Sequence, residues 1–362
     1  MKLNEQNILF FTRTMKLGGT ENVILQLCEI LQPKVNKIVV CSCGGVNVKI
    51  LDKMNIKHCQ IEDIENKSIF TILTTAIRLK KIVKEENITV IHTHHRMAAF
   101  YVSLLRLYRQ CKFINTSHNT FTNKKLLTRF SYKNASLITC GEMVKKNLVE
   151  VYKLPENQIT VIHNAVKPFD GRIINDSIIE KYHDDGMIVI GNIGRLSEQK
   201  GMKYFIEAAE IISKEYRQVR FVIVGDGEKK QELKTLVNEK KLQDVVLFLG
   251  YRNDIQNIMS QLDLIVLSSL WEGLPLTPIE AYSVGKTVIG TAVDGTPEII
   301  RDGIDGYLVE PRNSVQLAKK MNELIENPEM LVSMGINAMK RYQEEFSFDK
   351  LSNRYLYFYE EL

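Results

Sequence analysis

The sequence predicts an α/β chain of two doubly wound lobes, and three observations carry that reading. Short apolar runs alternate with amphipathic stretches along the chain, the rhythm of parallel strands joined by helices. A length of 362 residues with 44% hydrophobic content supplies two cores. Apolar runs repeatedly end in Gly- or Pro-containing turns that open into helices, as at Val224-Gly225-Asp226-Gly227 and Trp271-Glu272-Gly273-Leu274-Pro275.

In order, residues 7–11 read as the first strand, whose loop carries Lys16-Leu17-Gly18-Gly19-Thr20-Glu21 into a helix through 23–27. Residues 38–41, 90–94, 113–116 and 137–140 continue the sheet, and the lobe closes around 159–164. A polar stretch, 167–186, reads as the linker region. The second lobe takes strands at 187–193, 221–224, 246–249 and 262–267 and runs to about residue 345. The expected lobes are therefore 1–168 and 169–345.

Composition narrows the function classes. No apolar run approaches the roughly 18 residues of a membrane span, and the first residues lack the apolar core of a signal peptide. Cys41-x-Cys43 has no second pair at zinc spacing, so the six cysteines are expected as free thiols in a reducing cytoplasm. The net charge of +5 hides an asymmetry. Residues 1–168 hold 25 Lys/Arg against 12 Asp/Glu, and residues 169–362 hold 23 against 31. A basic lobe points to an anionic partner. Nucleic acid is disfavoured because no recognition module is present. The densest patch interleaves Lys124, Lys125, Arg129 and Lys133 with Leu126, Leu127, Phe130 and Tyr132. That pattern suits a helix lying on anionic lipid and suits equally a helix burying its apolar side in its own lobe.

Three loops carry chemistry. Glu272 and Glu280 stand eight positions apart across a Gly-Leu-Pro turn after an apolar strand, so Glu272 falls at the carboxyl end of a strand, where open α/β sheets bind ligands. Backbone N–H groups near Leu276 and Thr277 would open that helix toward an anion. Arg195 and Lys200, five apart on a loop leaving another strand, suit a pyrophosphate through a planar fork and a point charge. Gly225-Asp226-Gly227 lacks the third glycine of a dinucleotide site, which disfavours an oxidoreductase. Gly18 and Gly19 allow close backbone approach to a phosphate or sugar. His92, His94 and His95 cluster at a strand end without a partner carboxylate, so no metal is assigned.

With these residues in place, the chain resembles the retaining glycosyltransferases of family 4, in particular bacterial capsular and exopolysaccharide enzymes. The resemblance rests on Arg195-x4-Lys200-Gly201, the Val224-Gly225-Asp226-Gly227 turn, Glu272-x7-Glu280, Gly18-Gly19-Thr20-Glu21 and Ser117-His118-Asn119, in that family's places along nearly the whole chain. It implies the GT-B architecture, two Rossmann-like doubly wound lobes facing each other across a cleft, with residues 346–362 returning to the first lobe as a crossover helix. It further implies transfer of a hexose or N-acetylhexosamine from a nucleotide sugar, with UDP favoured, to a lipid-linked saccharide or other glycan acceptor. No cofactor or metal is implied, and no Asp-x-Asp triplet occurs. By resemblance, His118 and Glu272 position the transferred sugar and Glu280 grips the ribose. Gly18, Gly19, Arg195 and Lys200 serve the diphosphate, with Gly273, Leu274, Leu276 and Thr277 around it and the backbone at Gly250 and Tyr251 beside the base. Asn22 stands where the family often carries a basic residue. A nucleotide-sugar epimerase of the same fold and a non-catalytic nucleotide-sugar-binding subunit are the alternatives. The expected location is the cytoplasm, with peripheral contact at the inner membrane face.

Overall fold

The computed structural model describes Met1–Leu362. The chain divides into two compact units, Met1–Asn164 with Leu351–Leu362, and Ala165–Lys350.

In the first unit, β1 (Asn7–Phe11), β2 (Lys37–Ser42), β3 (Lys57–Gln60), β4 (Val90–Thr93), β5 (Lys112–Ser117), β6 (Ser136–Thr139) and β7 (Ile159–Val161) form one sheet. Its order is β3-β2-β1-β4-β5-β6-β7, parallel throughout. The central strands are apolar because both faces carry helices; Ile8, Leu9, Phe10 and Phe11 have no exposed surface. Chain direction reverses its progression between β1 and β4, so their carboxyl ends splay apart and leave a crevice. Helix Phe348–Glu360 contributes its later turns to this unit. There Gln6 donates to the Tyr359 carbonyl at 2.9 Å, and the Tyr359 hydroxyl meets His92 Nδ1 at 2.7 Å.

The second unit contains β8 (Ile188–Ile193), β9 (Val219–Val224), β10 (Val246–Gly250), β11 (Leu264–Leu267), β12 (Val288–Thr291) and β13 (Gly306–Val309). They form a parallel sheet ordered β10-β9-β8-β11-β12-β13, with its switch point between β8 and β11. Its core centres on Phe205, Phe221, Ile190, Val266 and Met321.

The boundaries differ from the sequence reading in two places. The stretch 167–186 contains helix Ser177–Asp184: Asp176 caps it by accepting from the Ile178 and Ile179 amides, and Ile179 is buried. Residues 165–168 and 346–350 belong to the second unit, where the Tyr342 hydroxyl donates to the Val166 carbonyl at 2.9 Å. No helix of the chain is long and apolar enough to cross a membrane.

Candidate active site

Both chemistry-bearing loops of the second unit leave strands that flank its switch point. The loop after β8 carries Gly194 to Gly201, and the loop after β11 carries Ser268 to Pro275. The first loop is held by close backbone contact. A Cβ at Gly225 would lie 1.9 Å from the Gly194 carbonyl oxygen, and one at Gly227 would lie 2.5 Å from that of Leu196. The Gly-x-Gly turn therefore shapes the Arg195 loop. At the loop's end Gly201 has φ +55°, and a Cβ there would sit 2.2 Å from the Ser268 carbonyl oxygen. Ser268 in turn donates to the Lys200 and Gly201 carbonyls and accepts from Asn192 at 2.9 Å, tying β8 to β11. Gly201→Ala combines left-handed backbone with overpacking and is expected to cost about 2–4 kcal/mol. A denaturant midpoint unchanged from wild type would refute this account of the Lys-Gly pair.

Lys200 and Glu272 meet across the switch point. Lys200 Nζ lies 2.6 Å from Glu272 Oε1, with both side chains largely buried. Ser269 donates to the same oxygen at 2.6 Å, and Gln199 reaches Oε2 at 3.4 Å. The Glu272 amide donates to Asp294 Oδ2 at 2.8 Å, and the Gly295 amide donates to the Gly273 carbonyl at 3.0 Å. Glu272 is thus fixed in rotamer and register. Arg195, by contrast, projects into solvent. Ser269, Gln199, Asp294 and Gly295 escaped the sequence reading. The apolar run of β12 ending in Asp294-Gly295 carries the same strand-then-turn signal as the other two loops.

Behind the Gly-Leu-Pro turn, helix Leu276–Ser283 starts at Pro275 with no side chain capping it. Its first amides and positive dipole end face away from the helix, beside the buried Leu274 and Thr277. Glu280, one turn in, receives no hydrogen bond on its carboxylate; burial pushes its pKa up to about 7, with the Lys200 cation pulling partly the other way. A carboxyl so desolvated and unpaired is equipped to accept from hydroxyl groups of a ligand. At the end of β10, the Gly250 carbonyl accepts from Gly225, and Tyr251 is 64% exposed. The neighbouring Arg252 braces Asp254 at 2.8 Å and Asp176 at 2.7 Å.

The first unit has its own polar cluster at its switch point. Gly18 leads into helix Gly19–Leu31, and a Cβ at Gly18 would meet the Glu21 carboxylate at 2.4 Å. Glu21 folds back to accept from Thr14 at 2.5 Å. Gly19 faces open space. His118, after β5, stacks on His94 with Nε2 to Nδ1 at 3.0 Å. Burial drives the His118 pKa down to about 4, so the imidazole is neutral at physiological pH and supplies a hydrogen bond rather than a charge. His92 is held by Thr116 and Tyr359 at 2.7 Å each and belongs to the core.

The polar patch around helix Lys125–Tyr132 is not one face. Thr128, Ser131 and Tyr132 turn inward, while Leu126 is 83% exposed alongside Lys125 and Arg129. Lys124 and Lys133 lie outside the helix, as its two caps.

Two family descriptions match the chain: Glycosyltransferase Family 4 over residues 17–168, and Glycosyl transferases group 1 over residues 175–341. The chain belongs to the family 4 glycosyltransferases. An Escherichia coli relative, UDP-Gal:alpha-D-GlcNAc-diphosphoundecaprenol alpha-1,3-galactosyltransferase, is 29% identical and is covered over 94% of each chain. The Bacillus anthracis N-acetyl-alpha-D-glucosaminyl L-malate synthase is 25% identical over 78% of this glycosyltransferase and 77% of that enzyme. Among solved structures, Anabaena HepE in complex with UDP matches with a TM-score of 0.86 at 21% identity, over 99% of this chain and 100% of that one. That likeness gives the GT-B fold: each Rossmann-like lobe of the glycosyltransferase carries its polar cluster at its own switch point.

Proposed function

We propose that this glycosyltransferase moves a hexose or N-acetylhexosamine from a UDP-sugar to a lipid-linked saccharide, retaining the anomeric configuration. The observation that carries the donor half is the meeting of Lys200, Glu272 and Glu280 at the uncapped start of helix Leu276–Ser283. Cleavage of a sugar–phosphate bond leaves negative charge on the departing diphosphate. Arg195, the two Lys200 protons not given to Glu272, and the helix amides stabilise that charge without a metal. Glu280 accepts from the ribose hydroxyls. Glu272, already rigid, holds the sugar while the acceptor hydroxyl attacks the face that the diphosphate vacates, its proton passing to the departing phosphate oxygen. The neutral His118 is the hydrogen-bonding group that the first unit offers to a sugar. The acceptor half draws support from the E. coli relative, whose name specifies a diphosphoundecaprenol-linked sugar, and from the basic first lobe. Lys124, Lys125, Arg129 and Lys133, all exposed, would face an anionic membrane surface in a peripheral, cytoplasmic enzyme.

The test is a panel of UDP-, GDP-, ADP- and dTDP-sugars, scored for thermal stabilisation and slow hydrolysis. One UDP-sugar should do both, and no response to any nucleotide would overturn the reading. Activity is expected to persist in excess chelator; complete loss restored by added metal would sink the metal-free mechanism. Arg195→Ala should lower turnover about 100-fold with an unchanged melting temperature, since the exposed guanidinium acts only on the developing charge. Wild-type turnover in that variant would remove Arg195 from the site.

A further inference from the structure

Helix Ile69–Glu85 is inverted over its first half. Its fully buried positions there are Thr71 and Thr75, 4% and 1% exposed, with Ile72 half-buried against the core, while Ile69, Phe70, Leu73 and Ile77 are 77%, 74%, 57% and 68% exposed. From Leu79 onward the pattern is the ordinary one, with Leu79, Ile82 and Val83 buried and Lys80, Lys81 and Lys84 outward. Four large apolar side chains in two and a half turns of one helix thus stand in water, a contiguous stripe of the kind that soluble surfaces avoid unless something covers it.

Two residues before this stripe, Lys67 lines a cavity of about 260 Å³ within the first unit. Lys67, Arg96 and Lys124 all line it. None of the three has a carboxylate partner: Arg96 bonds Asn123 Oδ1 at 3.1 Å and Thr128 Oγ1 at 3.3 Å and lies over the Phe121 ring. The one carboxylate on the wall, Glu65, is paired with Arg13 at 2.7 Å, lies 3.6 Å from His95 Nε2, and offsets only part of the charge at Lys124. Lys124 adopts left-handed backbone at φ 53° and sits against Lys67, and the Lys67 and Arg96 charges push its pKa down. Deeper in the cavity, His94 is 4% exposed, and its buried Nε2 has no hydrogen-bond partner. Three cations without a carboxylate hydrogen-bond partner and an unpaired buried nitrogen around one cavity suit an anion with several oxygen acceptors.

We infer that the first unit binds a phosphate or diphosphate carried on an apolar chain, with Lys67, Arg96 and Lys124 on the phosphate oxygens and Ile69, Phe70, Leu73 and Ile77 on the apolar chain. This rests on the lipid-linked acceptor proposed above and gives it a place and an orientation. The apolar stripe begins two residues after Lys67, so the phosphate lies where a headgroup lies relative to its tail.

The probes are farnesyl diphosphate, inorganic pyrophosphate and farnesol, measured by calorimetry with saturating UDP to keep the probes from the second unit. Wild-type protein should bind farnesyl diphosphate at least tenfold more tightly than either pyrophosphate or farnesol. Lys67→Ala with Lys124→Ala should weaken both diphosphates at least tenfold. Ile69→Ser with Phe70→Ser and Leu73→Ser should weaken farnesyl diphosphate alone, by a similar factor. The side chains at all of these variant positions are exposed, so UDP binding should be unchanged in both sets. Wild-type farnesyl diphosphate affinity in either set overturns the inference. Absence of UDP binding by any protein would instead overturn the donor reading, and the same variants scored without UDP would still decide this one.

Discussion

Glu280→Gln is expected to raise the melting temperature of the ligand-free glycosyltransferase at pH 8 by about 6 °C while abolishing nucleotide binding. The gain follows from the carboxyl's pKa, pushed from 4.5 up to about 7 by burial. A group that holds its proton more tightly when folded makes the native state lose stability as pH rises from about 4.5 to about 7, because the unfolded chain releases its proton first. Above that window the half-buried charge costs at most about 3 kcal/mol, because each tenfold change in proton affinity is worth about 1.4 kcal/mol. The amide removes the charge, so the stabilisation should vanish near pH 4 and be complete by pH 8. Binding has the opposite pH dependence. Two ribose hydroxyls need the ionised carboxylate, so wild-type UDP affinity should be about tenfold weaker at pH 6 than at pH 8, with proton release measurable by buffer-dependent calorimetry. Equal melting temperatures for variant and wild type across pH 4 to 8 would show that Glu280 is not desolvated. Undiminished UDP binding by the variant would remove it from the ribose.

The legible parts of this molecule are those in which local pattern and tertiary role agree. Strands such as Ile188–Ile193 and Leu264–Leu267 are buried on both faces and read as plain apolar runs. The loops after them carry charge beside glycine at the carboxyl ends of parallel strands, where open α/β sheets bind ligands. The Gly225-x-Gly227 turn is visible as a turn, but its purpose is not: it presses on the backbone of Gly194 and Leu196, a contact between segments about 30 residues apart. The Asp294 support of Glu272 is hidden for the same reason, whereas Ser269 is a local contact three residues away whose side-chain direction only the fold reveals. Helix Ile69–Glu85 shows the converse case. Its apolar spacing fits an ordinary buried face, and only the fold reveals that Thr71 and Thr75 take the inside positions. Helix Ser177–Asp184 is lost in a polar stretch because one buried side chain, Ile179, anchors it.

Lys200→Ala is expected to damage stability and turnover together, unlike Arg195→Ala. Its ammonium sits 2.6 Å from a Glu272 that is 8% exposed, so the truncation leaves a buried carboxylate with only Ser269 and Gln199. Breaking a buried pair from one side costs about 3–5 kcal/mol, and the two remaining donors reduce this to about 2–3 kcal/mol. Turnover should fall a further 100- to 1,000-fold among molecules that remain folded, on the order of what a lost transition-state contact costs, because a cation aimed at the departing diphosphate is gone. The two losses are separable. In Lys200→Met with Glu272→Gln the uncompensated charge disappears, so denaturant midpoints should recover most of the stability, a coupling of about 2 kcal/mol between the sites. Donor turnover should not recover at all. If the double variant regained both, the pair would be a structural clasp between the loops after β8 and β11, and the leaving-group role would pass to Arg195 and the helix amides alone. If Lys200→Ala kept its midpoint and lost only turnover, Glu272 would be adequately held by Ser269 and Gln199. The ammonium would then act on the substrate alone.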